Sequence, residues 1–171
     1  MARRKANDEL KAVDSLNIAL QTLTIFHGYV QQADSKLATM ATVHLGFTAV
    51  AATQAGDLGG AWKSGPPLAV ATAILTVLFT VGCFVAGHHL VAGLRPRLAG
   101  PAGPNRFGLI RPTEVPSPAG AAEQQREVWS LISTLADIAL RKHERVRRSL
   151  PWLALMPFAT VTWLALTALI G

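Results

Sequence analysis

Polar and apolar positions repeat at helical spacing through the N-terminal part of the chain and then give way to three apolar stretches, Leu37–Thr53, Leu68–Leu90 and Leu150–Ile170. Each approaches the roughly 20 residues a helix needs to cross a bilayer core. Lipid offers no partner to a free N–H or C=O, so crossing segments of this kind are expected to be helices. Ahead of the first stretch, Asp8 to Asp34 reads as a helix. Val13, Leu16, Leu20, Leu23, His27 and Val30 recur three or four residues apart, the pattern of a bundle seam, and Leu10, Ala19, Phe26 and Ala33 widen that face. No proline occurs between Met1 and Gly65. The helix is therefore expected to run on into the first span as a rod of about 45 residues, about 65–70 Å long at 1.5 Å per residue.

A second amphipathic helix is expected over Glu123 to Ser149, where Val128, Leu131, Ile132, Leu135, Ile138 and Ala139 form one stripe. Past Leu140 the stripe yields to Arg141-Lys142-His143-Glu144-Arg145. Pro151 is expected to start a new helical segment or bend the existing one, and Pro157 to kink the third span. Between the first two spans, Gly56, Gly59, Gly60, Ser64, Gly65, Pro66 and Pro67 describe a tight return. Leu94 to Ala119 holds six prolines and three glycines, a composition that opposes both helix and strand and reads as a long loop. The expected fold is all-α: an integral membrane bundle of three transmembrane helices with two cytosolic helical extensions. It forms one unit over 1–171, with cytosolic helices over 8–36 and 123–149 and a Pro/Gly-rich cytosolic loop over 94–119 flanking spans over 37–54, 68–90 and 150–170.

Charge gives the orientation. Arg3, Arg4, Lys5, Lys11 and Lys36 precede the first span and ten basic residues lie between the second and third, whereas Lys63 alone lies between the first and second. Basic residues stay on the cytoplasmic side, so the N-terminus is expected inside and the Gln54–Pro67 loop outside, with Trp62 and Trp152 at the interfaces. The net charge of +6 is explained by topology and by attraction to anionic headgroups, without nucleic acid as a partner. The sole cysteine, Cys83, excludes an internal disulfide and a Cys-based metal cluster. Ala2-Arg3-Arg4-Lys5 is followed by polar sequence, so no signal peptide is expected.

Few residues suggest chemistry. His44 falls inside the first span, where a polar group usually faces the bundle interior; a functional role and a structural hydrogen bond to Thr42, Thr48 or another helix are both open. Ala38, Thr42 and Gly46, and likewise Gly82 and Ala86, are small residues that favour close helix contact. His88 and His89 are adjacent and diverge by about 100° on a helix, which disfavours a shared metal. Arg95-Pro96-Arg97 is a doubly basic corner whose guanidinium forks suit a phosphate, although the residues by themselves favour a topological and headgroup anchor. No Ser-His-Asp arrangement, phosphate-cradling glycine loop or useful carboxylate pair is present, so no enzyme, catalytic residue, metal or cofactor is expected.

Three segments together resemble the Pycsar transmembrane effector family. Tyr29-Val30-Gln31-Gln32-Ala33-Asp34-Ser35-Lys36 is similar to its alanine-aspartate-serine/threonine-lysine signature before the first span. Arg95-Pro96-Arg97 is similar to its arginine-proline-basic exit from the second, and Leu131 to Arg148, with Ala139-Leu140-Arg141-Lys142-His143, to its isoleucine-alanine-x-x-lysine helix before the last. The resemblance covers roughly Leu16 to Ile170. It implies a role in bacterial anti-phage defence by abortive infection: a partner cyclase makes cyclic UMP or cyclic CMP, and an oligomeric inner-membrane effector responds by impairing the membrane. On that resemblance Arg95, Arg97, Lys142 and Arg141 would meet the nucleotide phosphate, and Asp34, Lys36 and Tyr29 would shape or gate the site. The alternative is a constitutive anchor whose cytosolic helices recruit a protein partner without a small ligand.

Overall fold

The structure is a computed structural model that describes residues 2–54, Gly56, Gly60, 65–95, Asn105, Phe107 and 120–168. Among these residues there are three long helices and no strand: α1 (Ala2–Thr53), α2 (Pro66–Leu94) and α3 (Ala121–Ala168). With no proline in its way, α1 continues unbroken through Lys36 and Leu37. Pro66 and Pro67 open α2, where a missing N–H costs nothing, after Gly65 at φ 115°, a conformation that favours glycine. Arg95 closes it, its N–H donating to the Val91 carbonyl at 3.1 Å.

α3 runs through both Pro151 and Pro157, so Pro151 does not begin a separate helix. Each proline removes one backbone hydrogen bond. Val146, Ser149, Leu153 and Met156 form a buried row that crosses the first proline, so packing holds the helix where the bond is lost.

The chain divides into two compact units. Unit 1 comprises Met1–Ala33 and Pro96–Lys142. Its core is Ala19 of α1 against Val128 and Ile132 of α3, with Leu16, Leu20, Leu23, Phe26 and Phe107 packed around them. The two amphipathic stripes thus pack on each other. The seam is narrower than its periodicity suggested: Val13 and His27 are exposed. Two described residues of the Pro/Gly-rich loop pack in this unit. Asn105 Nδ2 donates to the Glu127 carbonyl at 2.7 Å, and its Oδ1 accepts from the Phe107 N–H at 2.9 Å, which sets Phe107 against the core.

Unit 2 comprises Asp34–Arg95 and His143–Gly171. Leu37, Leu90 and Val146 form one buried cluster with Met40 against it. Ala86, Leu153 and Met156 form another, flanked by Met40, Phe47, Phe79, Cys83 and Trp152. Gly82 and Ala86 are buried, as their size suggested. The matching row on α1 is not: Ala38, Thr42 and Gly46 are exposed, and a Cβ on Gly46 would meet nothing within 4 Å.

Among the described residues two helices, not three, are long and apolar enough to cross a membrane: α2, and α3 through its C-terminal part. Of their apolar windows 22% and 28% are buried within the chain, so most of each apolar surface faces outward. The expected first span, Leu37–Thr53, does not reach that standard. It contains His44 and five threonine or glycine positions (Thr39, Thr42, Gly46, Thr48 and Thr53), and alanines stand where the others carry leucine, valine or phenylalanine.

Candidate functional site

The residues expected to meet a nucleotide fall in both units. Tyr29, Arg141 and Lys142 lie in unit 1; Asp34, Lys36 and Arg95 lie in unit 2; Arg97 lies outside the described residues. Tyr29 is exposed and stands edge-on to Phe26, ring centroids 5.8 Å apart. Arg141 is exposed and engaged, its guanidinium 2.6 Å from the Asp137 carboxylate one turn earlier. Lys142 and Asp34 are half-buried; Lys36 and Arg95 are exposed.

The basic run of α3 contains a residue that motif reading passed over. Arg148 Nε donates to Glu144 Oε1 at 2.8 Å, and that bond holds the Glu144 carboxyl below the usual carboxylate range. Arg141 and Arg148 are thus each answered by an acid four residues earlier. Four residues before Arg145 stands Arg141, and four after it Ser149. Half-buried Arg145 instead meets His89 of α2, NH1 to Nδ1 at 3.4 Å. The missing acid was legible in the spacing; the imidazole across the helix pair was not.

Deeper in unit 2, His44 Nε2 lies 3.8 Å and Thr48 Oγ1 3.7 Å from Cys83 Sγ. Thr42 and Thr48 give their hydroxyls to the carbonyls of Ala38 and His44, so His44 is met across the helix pair by Cys83. Gly87 leaves room for the ring: a Cβ there would lie 3.4 Å from Nε2. Among the described residues no three His, Cys, Asp or Glu side chains could share a metal ion. His88 and His89 sit edge to face, 5.5 Å apart. A mostly apolar cavity of about 220 Å³ is lined by Ala51, Leu75, Phe79, Ala159 and Trp163 together with Gln54, Thr76 and Thr160.

The described helices thus bring together basic side chains and apolar surface. Comparison with known families gives that arrangement its context. The Pycsar effector protein domain matches residues 18–170, nearly the whole chain. The chain belongs to this family. As a Pycsar effector it is a transmembrane component of anti-phage defence, and membership implies a cyclic nucleotide signal from a partner cyclase and a membrane as its place of action. The match begins at Ile18 in α1 and takes in all of α2 and α3, so it includes Ala19, Val128 and Ile132 of the unit 1 core and both helices able to cross a bilayer. No curated protein sequence and no solved structure matches this Pycsar effector.

Proposed function

We propose that this Pycsar effector is triggered by cyclic UMP or cyclic CMP, impairs the integrity of the bacterial inner membrane and so halts the infected cell. The observation that carries the reading is the family match over residues 18–170, which joins a cytosolic-type helix pair to two membrane-capable helices. Arg95 and Arg97, and separately Arg141 and Lys142, are candidate contacts for the phosphodiester, since guanidinium and ammonium donors suit it. Tyr29, Asp34 and Lys36 are candidates for shaping or gating the response.

In this reading the N-terminus is cytoplasmic and Leu37–Thr53 enters the bilayer through its packing in unit 2 rather than by its own hydropathy. Leu37, Met40 and Phe47 contact the residues of α2 and α3 that would cross. The effector acts as a homo-oligomer. Ile18 and Ile25 are 60% and 56% exposed on one face of α1, and an apolar face in water favours a neighbour. Energetics point the same way. Moving a two-state population from 1:99 to 99:1 takes about 5.5 kcal/mol of differential binding, more readily supplied by several sites than by one.

Calorimetric titration of the purified chain with cyclic UMP, cyclic CMP, cyclic AMP and cyclic GMP tests the trigger. Saturable binding of a pyrimidine nucleotide, weakened by Arg141→Lys or Arg95→Lys, is the expected result. Binding of none of the four would leave the constitutive-anchor reading in its place.

A further inference from the structure

Arg145 is a half-buried cation whose described partner is a neutral ring. Charges withdrawn from water are ordinarily paired, because an unpaired one carries its full desolvation cost. Arg141 and Arg148 obey that rule on the same helix, through Asp137 and Glu144. Among the described residues no carboxylate pairs with Arg145, and its polar contact is His89 Nδ1 at 3.4 Å. A ring nitrogen that accepts from a guanidinium bears no proton, so the proton sits on Nε2 and the imidazole is neutral. The contact therefore orients Arg145 without cancelling its charge, and it leaves the His89 Nε2–H as a further donor.

The place is built. A Cβ on Gly93 would stand 3.5 Å from the Arg145 Cβ, so α2 and α3 approach closely there and the arginine stem is held against the glycine. Arg145 lies five residues before Leu150, where the apolar end of α3 begins, and His89 lies within the last two turns of α2. Both stand at the cytosolic foot of the membrane-capable helices, the level of lipid headgroups.

We propose that Arg145 and His89 form a binding site for a phosphodiester monoanion in unit 2. The guanidinium donors that His89 leaves free, together with the imidazole Nε2–H, match the oxygens of such a group. Two sources share this chemistry: the headgroup of an anionic phospholipid and the phosphate of a cyclic nucleotide. The site rests on the membrane placement of unit 2 and does not require the nucleotide trigger.

The test uses the full chain in detergent micelles. Retention of phosphatidylglycerol is measured by native mass spectrometry against diacylglycerol, which lacks the phosphate, and cyclic UMP and cyclic CMP are titrated in parallel. In Arg145→Gln the affinity for at least one of the phosphodiesters is expected to fall by about tenfold, as loss of hydrogen bonds to a charged group does. Arg148→Gln, which removes a cation already paired with Glu144, is expected to keep wild-type affinity. A fall confined to phosphatidylglycerol identifies a lipid site and leaves the nucleotide trigger untouched. A fall confined to a cyclic nucleotide makes the site part of that trigger. If Arg145→Gln does not fold, His89→Phe removes the second donor and serves instead. Unchanged affinity for every phosphodiester, equal losses in the Arg145 and Arg148 variants, or wild-type retention of phosphatidylglycerol no better than of diacylglycerol without any nucleotide binding, overturns the proposal.

Discussion

Leu37 fills the space that a side chain at Gly93 would need: a Cβ there would stand 2.9 Å from one Leu37 methyl and 3.0 Å from the other. Leu37 is fully buried, so those methyls have little room to swing aside. Truncation to alanine should cost about 2–5 kcal/mol, the range for a buried leucine. Gly93→Ala should destabilise the wild type and be neutral or stabilising in the Leu37→Ala background. Thermal unfolding of the four proteins in detergent reads the reversal. The same Gly93→Ala effect in both backgrounds would mean that the two residues do not compete for space.

Gly82 meets a less forgiving neighbour. A Cβ there would lie 3.1 Å from the Trp152 carbonyl oxygen and 3.4 Å from Met156 Cγ. A backbone atom in the middle of α3 cannot turn away as a side chain does. Gly82→Ala should therefore destabilise the chain by about 1–3 kcal/mol, although alanine is the better helix former. A rise in melting temperature on this substitution would show that α2 and α3 are less closely packed.

In unit 1 the decisive position is Val128, fully buried against Ala19. Val128→Asp buries a carboxylate without a partner and should cost several kcal/mol. Loss of protease resistance over Leu16–Phe26 and over 128–132 is the expected readout. Val128→Ile, which keeps the surface apolar, should be far milder. Equal resistance in the aspartate variant would place the stripe in water or lipid.

Asn105 ties the proline-rich loop to this pair of helices. Asn105→Ala removes both of its bonds, to the Glu127 carbonyl and from the Phe107 amide, at a cost of about 1–3 kcal/mol. Amide exchange at Phe107 should accelerate while exchange within α2 stays as it was. Unchanged protection of the Phe107 amide would show that the loop is held elsewhere.

Much of the fold is legible in the sequence because its causes are local. The stripe through Leu16, Leu20 and Leu23 and that through Val128 and Ile132 have helical period and cover each other in unit 1, with Phe107 against them. Leu37–Thr53 misleads because the eye counts apolar residues rather than their size: alanine and threonine hold a helix but carry little of the transfer energy that leucine and phenylalanine bring. Proline misleads in the opposite direction at Pro151, where a buried row outweighs one lost hydrogen bond. The site is less legible than the fold. Arg141 pairs with Asp137 four residues earlier, a local contact that its motif does not include. Arg145 looked like one charge among many, and its singularity depends on His89, 56 positions away.

The central claim is that a cyclic pyrimidine nucleotide turns this Pycsar effector against a membrane. Its most direct test is release of a trapped dye from vesicles of phosphatidylethanolamine and phosphatidylglycerol that carry the purified full chain. Addition of cyclic UMP or cyclic CMP should empty the vesicles in a saturable, dose-dependent way, while cyclic AMP, cyclic GMP and protein-free vesicles give none. Vesicles that stay sealed with both pyrimidine nucleotides, or that leak equally with and without them, would contradict it.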